Sequence, residues 1–488
     1  MVFNSVTFLI FLFIVVTAYW FLKPAVKMWM LLIASCVFYG FWRWEFLGVM
    51  FISALTDYFT AIEIGKTPLE NKKKRRFLLG LTLLVNLGLL FYFKYLYFLT
   101  ENINLSMDWL NIDYQLPLYK IILPFGISFY TFETISYTVD VYRGLIKPEK
   151  KFIHYALFVT FFPKLVAGPI QRASELIEQL KNKPNFSWGF IVYGFERILL
   201  GLFLKVVLAD NIAPFVDEGF ALPTNSLSAI DVWTLGFLFG FQIYFDFSAY
   251  SHIALGAAQM MGIKIPENFN YPYIASSFKD FWKRWHISLS SWIRDYLYLP
   301  LSGIKVAKTT GEGGIGEGLE TTQKENRTRA LFLTWAIMGF WHGANWTFVL
   351  WGIMHASLIF IERKLKPVRT KIKWLGLPLI GWGITTLLVM LSWIPFRAEN
   401  LEVTFGMFSK IIEPSEYLKI GMRENTYIVT FVVTILFLAT YYLQEYLAEF
   451  WKKTPKLSFG IGVLKLSIVI LLVFTFLRPI SQFIYFQF

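Results

Sequence analysis

Seven stretches of this chain are each long and apolar enough to cross a lipid bilayer, and a water-soluble fold has no use for so many. They run over 5–22, 77–99, 190–208, 235–261, 374–395, 427–446 and 459–477, against a requirement of about 20 mostly apolar residues for a spanning helix. Five further apolar stretches, 28–41, 46–62, 121–141, 152–167 and 330–361, are shorter, longer or more polar. Together they predict an all-α, polytopic membrane protein with about 11 transmembrane helices plus re-entrant and interfacial helices. Composition agrees: 16% of the 488 residues are charged, where a soluble domain carries roughly 25%. The single cysteine, Cys36, excludes an internal disulfide framework and a Cys-only metal site. The first residues lack a basic segment and a small-residue cleavage site, so the first apolar stretch is expected to stay in the mature protein.

The net charge of +13 is what cytoplasmic loops of such a protein carry, so membrane lipid is the expected partner and nucleic acid is not. Lys72, Lys73, Lys74, Arg75 and Arg76 form one basic run, and Arg143, Lys147, Lys150 and Lys151 another. The basic stretch 264–329 and the group Arg363, Lys364, Lys366, Arg369, Lys371 and Lys373 also read as inside. By contrast 101–118 and 210–231 hold no Lys or Arg and read as outside. The apolar interval 330–361 therefore has both flanks inside, and it must cross twice or dip in and return. No repeat or second soluble domain interrupts the chain, which reads as one membrane-embedded domain over 1–488. Within it 273–300 forms a cytoplasmic amphipathic segment and 304–328 a Gly/Thr/Glu-rich loop without chemistry of its own. In the amphipathic segment Phe278, Phe281, Trp282, Trp285, Leu289, Trp292, Ile293 and Tyr296 recur at helical spacing, predicting a helix over 278–296 at the membrane interface.

No G-x-S-x-G elbow, phosphate loop or zinc-spaced histidine pair is present, which leaves histidine as the acid–base group. His342 lies mid-segment in Phe-Trp-His-Gly-Ala-Asn-Trp, and an ionisable group at that depth is a functional candidate. On a continuous helix Asn345 and Trp346 would share its face, with Trp341 beside it. His355 would lie about 20 Å away on one straight helix, rotated by roughly 140°, so it is expected to be structural or supporting unless the segment breaks at Gly343 or Gly352. His286, in Lys-Arg-Trp-His-Ile-Ser with Arg284 preceding it, falls at the edge of the amphipathic stripe. That position suits either a residue facing a water-filled pocket or an interfacial one. His154 and His252 lie near span ends and read as packing. Among acids within apolar stretches, Glu133, Asp140 and Glu196 are expected to be structural. Asp246, in Tyr-Phe-Asp-Phe-Ser, could be a proton site or an ion-pair partner.

Six ordered motifs carry a resemblance. They are Leu-Pro-Phe-Gly-Ile-Ser-Phe-Tyr-Thr-Phe at 123–132, Phe-Pro-Lys-Leu-Val-Ala-Gly-Pro-Ile at 162–170 and Tyr-Phe-Asp-Phe-Ser at 244–248. Then follow Phe-Trp-Lys-Arg-Trp-His-Ile-Ser-Leu-Ser at 281–290, Trp-Ile-Arg-Asp-Tyr-Leu-Tyr-Leu-Pro at 292–300 and Trp-His-Gly-Ala-Asn-Trp at 341–346. From about residue 77 to His355 the chain resembles the membrane-bound O-acyltransferase family, nearest its bacterial alginate O-acetyltransferase branch. It departs at Ala249, at His252, and in the long stretch after Leu301-Ser302-Gly303-Ile304.

The resemblance implies a helical membrane fold around a central tunnel, with His342 as the catalytic histidine and His286 near the other end of the tunnel. It implies an acyl thioester donor on the cytoplasmic side, acetyl-CoA or an acyl carrier, used as a substrate with no bound cofactor and no metal. The acceptor would be a polysaccharide, or an extracytoplasmic acetyltransferase that completes the transfer, and the location the cytoplasmic (inner) membrane. His342 would take the acceptor's proton, Asn345 would orient its imidazole and His286 would contact the donor. Two alternatives stand beside O-acetylation: D-alanyl transfer to an envelope polymer or acylation of a lipid, and a transporter or flippase using Asp246 and Glu133. The pair of histidine motifs favours the enzyme, because a transporter has no need of both.

The loop charges generate a topological test. With Cys36 replaced, a cysteine introduced at 101–118 or 210–231 should react with an impermeant thiol reagent from outside, whereas Lys73→Cys should not. Outside labelling of Lys73→Cys would overturn the assignment.

Overall fold

The computed structural model describes residues 1–182, 184–304, 326–371, 377–453, 455–479 and 483–484. Among these residues the chain is helical without a β-strand. The first helices are α1 (Val6–Phe21), α2 (Pro24–Arg43), α3 (Glu45–Lys66), α4 (Lys72–Leu90), α5 (Leu96–Trp109), α6 (Ile127–Arg143), α7 (Phe152–Thr160) and α8 (Ala173–Lys181). Next come α9 (Trp188–Leu202), α10 (Asp210–Ala221), α11 (Ala229–Met260), α12 (Phe278–Arg284), α13 (Ile287–Ile293) and the short α14 (Leu299–Leu301). The last are α15 (Arg327–His342), α16 (Trp346–Lys371), α17 (Pro378–Arg397), α18 (Leu401–Ile412), α19 (Glu424–Lys453) and α20 (Pro455–Thr475). Five stretches, Glu45–Lys66, Lys72–Trp109, Trp188–Ala221, Pro378–Arg397 and Glu424–Gln444, are helices long and apolar enough to span a bilayer, and Val6–Phe21 and Gly460–Thr475 are shorter apolar helices. The protein is an all-helical, multi-pass membrane protein. Most of the Gly/Thr/Glu-rich loop lies outside the described residues.

The chain divides into two compact units, each assembled from separate stretches. The first comprises Met1–Arg197, Ala254–Pro266 and Ser291–Asn326. Polar groups tie its helices to one another alongside a buried apolar and aromatic core, whose burial yields less when lipid is the alternative. Asp57 on α3 is fully buried and accepts from Asn86 Nδ2 on α4 at 2.8 Å and Thr138 Oγ1 on α6 at 3.2 Å. Asn86 Oδ1 in turn accepts from Ser53 and Thr134. Glu133 is ion-paired with Lys164 and takes the Gln171 backbone N–H at 2.9 Å, the structural role expected of it. Asp140 accepts from Tyr296 Oη at 2.8 Å.

Two expectations change here. The apolar stretch 152–167 does not continue as a helix: α7 stops after nine residues and the buried chain beyond it is irregular. Such backbone is tolerable at membrane depth only with its polar groups satisfied, as when Phe162 N–H donates to Ser35 Oγ. Likewise α6 starts only at Ile127, behind a left-handed Gly126 (φ 74°). A Cβ there would stand 2.4 Å from the Leu165 carbonyl oxygen, so glycine is required at that turn.

The second unit comprises Ile198–Ile253, Glu267–Ser290 and Arg327–Phe488. The interval 330–361 doubles back within it. Helix α15 ends at His342, and Asn345 Oδ1 accepts from Thr347 N–H at the start of α16, a side-chain cap of the usual kind. The two helices then cross at their glycines. A Cβ on Gly352 would lie 2.1 Å from the Trp335 carbonyl oxygen, and one on Gly339 would lie 2.2 Å from that of Phe348. Beside the hairpin, Leu227, Val232, Leu235, Ile394 and Met407 form an apolar core.

This crossing generates a contrast. Gly339→Ala and Gly352→Ala should each destabilise the protein by about 1–3 kcal/mol through overpacking. Gly383→Ala, with open space around its Cβ, should stabilise α17 by up to about 1 kcal/mol. Thermal unfolding in detergent reads the difference, and unchanged melting of both hairpin variants would contradict the crossing.

Candidate active site

The predicted continuous helix over 278–296 is broken at His286. Helix α12 ends as Trp285 N–H returns to the Phe281 carbonyl, and His286 takes a left-handed backbone (φ 43°) before α13 begins. A neighbouring strand of chain competes for the backbone groups: Asn270 N–H donates to the Arg284 carbonyl and Ile287 N–H to the Asn268 carbonyl, both at 2.9 Å. The turn carries the imidazole inward, and His286 is 1% exposed.

His286 Nδ1 lies 3.1 Å from Asn268 Oδ1, which also accepts from Ser288 N–H at 3.2 Å and Ser288 Oγ at 2.9 Å. Accepting from a backbone N–H identifies that amide atom as oxygen, so His286 donates from Nδ1 and Nε2 carries the lone pair. Phe247 packs edge-on against the ring at 4.7 Å. Burial pushes the His286 pKa down to about 3, so the ring is neutral across the physiological range.

His355 is held at both nitrogens. Trp282 Nε1–H donates to its Nδ1 at 3.3 Å, and its Nε2 lies 3.1 Å from Ser392 Oγ, which itself donates to the Val389 carbonyl. Its proton therefore sits on Nε2 and neither nitrogen is available to a reactant without rearrangement. His342 closes α15 and is 5% exposed. Its ring meets Trp341 at 5.0 Å, Trp351 at 5.1 Å and Phe396 at 5.3 Å. Trp351 also meets His355, at 4.7 Å. The doubling-back at Gly343 thus brings both imidazoles onto one indole, where a straight helix would have kept them about 20 Å apart. The rings continue from Phe396 through Trp393 (5.4 Å) to Trp285 (4.9 Å), the residue preceding His286.

The remaining sequence candidates are placed as follows. Asn345 does not share a helical face with His342, because the helix stops between them: its Oδ1 caps α16 and its Nδ2 donates to the Glu399 carbonyl at 2.9 Å. Trp341 is buried, whereas Trp346 is half exposed. Arg284 pairs with Asp280 one turn back. Asp246 is buried against Lys205 at 2.6 Å, which also reaches Asp210 at 3.0 Å, and its second oxygen takes the Ile484 N–H. Among the described residues no three His, Cys, Asp or Glu side chains gather as a metal site. Asn268 and Ser392, which fix the tautomers of His286 and His355, were not foreseen. Ser392 carried a signal, as a polar residue inside an apolar span; Asn268 carried none, because only the break in the helix brings it to His286.

Acid sensitivity follows from the His286 environment. The unfolded chain binds a proton at this residue below about pH 6.5, whereas the folded one resists it until about pH 3. The contribution is present above the unfolded value and is lost as pH falls towards the folded one. His286→Gln should therefore flatten the decline in melting temperature between about pH 6.5 and 3. An acid decline identical to that of the wild type would contradict a buried neutral imidazole.

Known proteins place the chain. A family model described as MBOAT, membrane-bound O-acyltransferase family, matches residues 146–312. The chain is 35% identical to the "Probable alginate O-acetylase AlgI" of Pseudomonas putida over the whole of both chains. It is 36% identical to the protein of that name from Azotobacter vinelandii, across 93% of this chain and 88% of the other. A "Peptidoglycan O-acetyltransferase" of Helicobacter pylori is 38% identical over 77% of this chain and 72% of its own length. With its all-helical fold and buried histidines, this chain belongs to the membrane-bound O-acyltransferase family and is an acyltransferase.

Proposed function

We propose that this acyltransferase O-acetylates an envelope polysaccharide, directly or by passing the acetyl group to an extracytoplasmic acetyltransferase, from a thioester presented on the cytoplasmic side. The observation that carries the reading is the end-to-end similarity to relatives named alginate O-acetylase, supported by the peptidoglycan O-acetyltransferase relative. D-alanyl transfer is the second reading. It rests on a "Teichoic acid D-alanyltransferase" of Bacillus subtilis, 30% identical over 60% of this chain. We take the membrane to be the cytoplasmic one and the crossings to number about 11.

In this mechanism the acceptor hydroxyl oxygen attacks the thioester carbonyl carbon while His342 takes its proton. The tetrahedral intermediate collapses, the C–S bond breaks, and the departing thiolate receives the proton, leaving an ester and a free thiol. General base assistance of this kind contributes roughly 10²–10⁴-fold. His286, its Nδ1–H given to Asn268, offers Nε2 as a hydrogen-bond acceptor to the donor. His355 positions Trp351 and Trp282 rather than reacting.

The experiment compares acetyl incorporation into surface polysaccharide, normalised to membrane protein level. His342→Ala should lose at least about 10²-fold with folding intact. His286→Ala should lose less, mainly in donor KM. His355→Ala should be the mildest per folded molecule but should lower melting temperature. An active His342→Ala beside a dead His355→Ala would move the base to His355. Full activity in all three would overturn the mechanism.

A further inference from the structure

We propose that a basic pocket of the first unit, formed by the loop leading into α7 and the end of α8, binds a phosphate group. The proposal does not rest on the acetylation reading. The pocket is an open recess of about 780 Å³, and its lining includes Glu149, Lys150, Lys151, His154 and Lys181, with Met28 on an apolar wall.

Its one carboxylate is already spent. Glu149 Oε1 accepts from Lys151 N–H at 3.0 Å and lies 3.2 Å from His154 Nδ1, while Oε2 takes Lys181 Nζ at 2.6 Å. Burial acts to raise the Glu149 pKa, but the bonds from Lys181 and Lys151 outweigh it and hold the group below its ordinary value. Glu149 therefore stays charged and anchors the pocket. Lys150 and Lys151 line the pocket and are exposed at its surface, so they add positive charge beside a carboxylate already bonded to Lys181. The same loop feeds the N-terminus of α7, which has no side-chain cap and adds backbone donors to the attraction for an anion.

The loop is held in place before any ligand arrives. Tyr58 Oη donates to the Lys150 carbonyl, and Glu149 N–H donates to Tyr137 Oη at 2.9 Å. Pro148 sits where a side chain at Gly65 would be, 2.5 Å from the position of a Cβ. A preorganised recess with lysine point charges suits a compact phosphate better than an extended acidic protein surface. Loop charge places this pocket on the cytoplasmic side. Two sources of phosphate meet it there: the headgroup of an anionic phospholipid, and a soluble phosphate-bearing donor such as CoA.

The test uses the full chain in phosphatidylcholine nanodiscs. Phosphatidylglycerol retention is read by native mass spectrometry, and binding of CoA and of inorganic phosphate by thermal shift. The wild type should bind at least one probe, and Lys150→Ala/Lys151→Ala should weaken it about tenfold or more, with Lys181→Met as an independent variant of the same pocket. Lys147→Ala, in the same loop but outside the pocket lining, should bind as wild type. Phosphatidylglycerol alone assigns a lipid headgroup; CoA alone, or CoA displacing the lipid, assigns a soluble donor; inorganic phosphate alone assigns a free-phosphate site. Three results would overturn the proposal: no probe bound by the wild type, equal binding by the pocket variants, or equal weakening by Lys147→Ala.

Discussion

The close approach of α15 and α16 at Gly339 and Gly352 decides what the second unit can do. Two backbones within reach of a single Cβ leave no space for any side chain there. In exchange Trp351 is driven between two imidazoles, at 5.1 Å from His342 and 4.7 Å from His355. A glycine crossing is an economical way to hold helices in lipid, where apolar residues gain little by meeting each other. It also turns a single apolar segment into two helix ends. Polar backbone groups become available at the turn, and Asn345 satisfies part of them. His342 closes α15 at that turn.

In each unit one buried carboxylate is matched by a lysine. Glu133 meets Lys164 in the first unit and Asp246 meets Lys205 in the second, each with an additional backbone N–H on the carboxylate. Pairs of this kind need those further bonds, since desolvation can exceed the attraction between the charges. The pairing of Asp246 removes the main support for reading this chain as a proton-coupled transporter.

Helical class, membrane character and family were legible because each rests on a pattern that survives tertiary context: apolar length, a charge deficit and ordered motifs. The inward return of 330–361 was legible too, from two basic flanks and an apolar middle. The break at His286 was not. The stripe over 278–296 has ideal helical spacing, and what ends the helix is a hydrogen bond from Ile287 to residue 268, which no local pattern encodes. The same limit applied to Asn345, whose face depended on a helix that stops three residues earlier. The count of crossings is hard to read for a related reason: a nine-residue helix followed by buried irregular chain has the same hydropathy as half a span.

Three buried histidines in one unit would be redundant if each did the same work, and their surroundings divide the labour. His355 has both nitrogens bonded to protein, so neither meets a reactant without rearrangement. His286 donates from Nδ1 to Asn268, and a pKa near 3 makes it a poor holder of a proton at neutral pH. A base works best with a pKa near the working pH, while a hydrogen-bond acceptor needs only a lone pair in a fixed direction. The Asn268 contact supplies that direction through the opposite nitrogen. On the proposed reading proton transfer falls to His342, whose ring meets Trp351 and Phe396 at the end of α15. On this reasoning the indoles around the site have two uses. They shield the imidazoles from water, and they let the hydrogen bonds of each imidazole, rather than solvent, set what that imidazole can do.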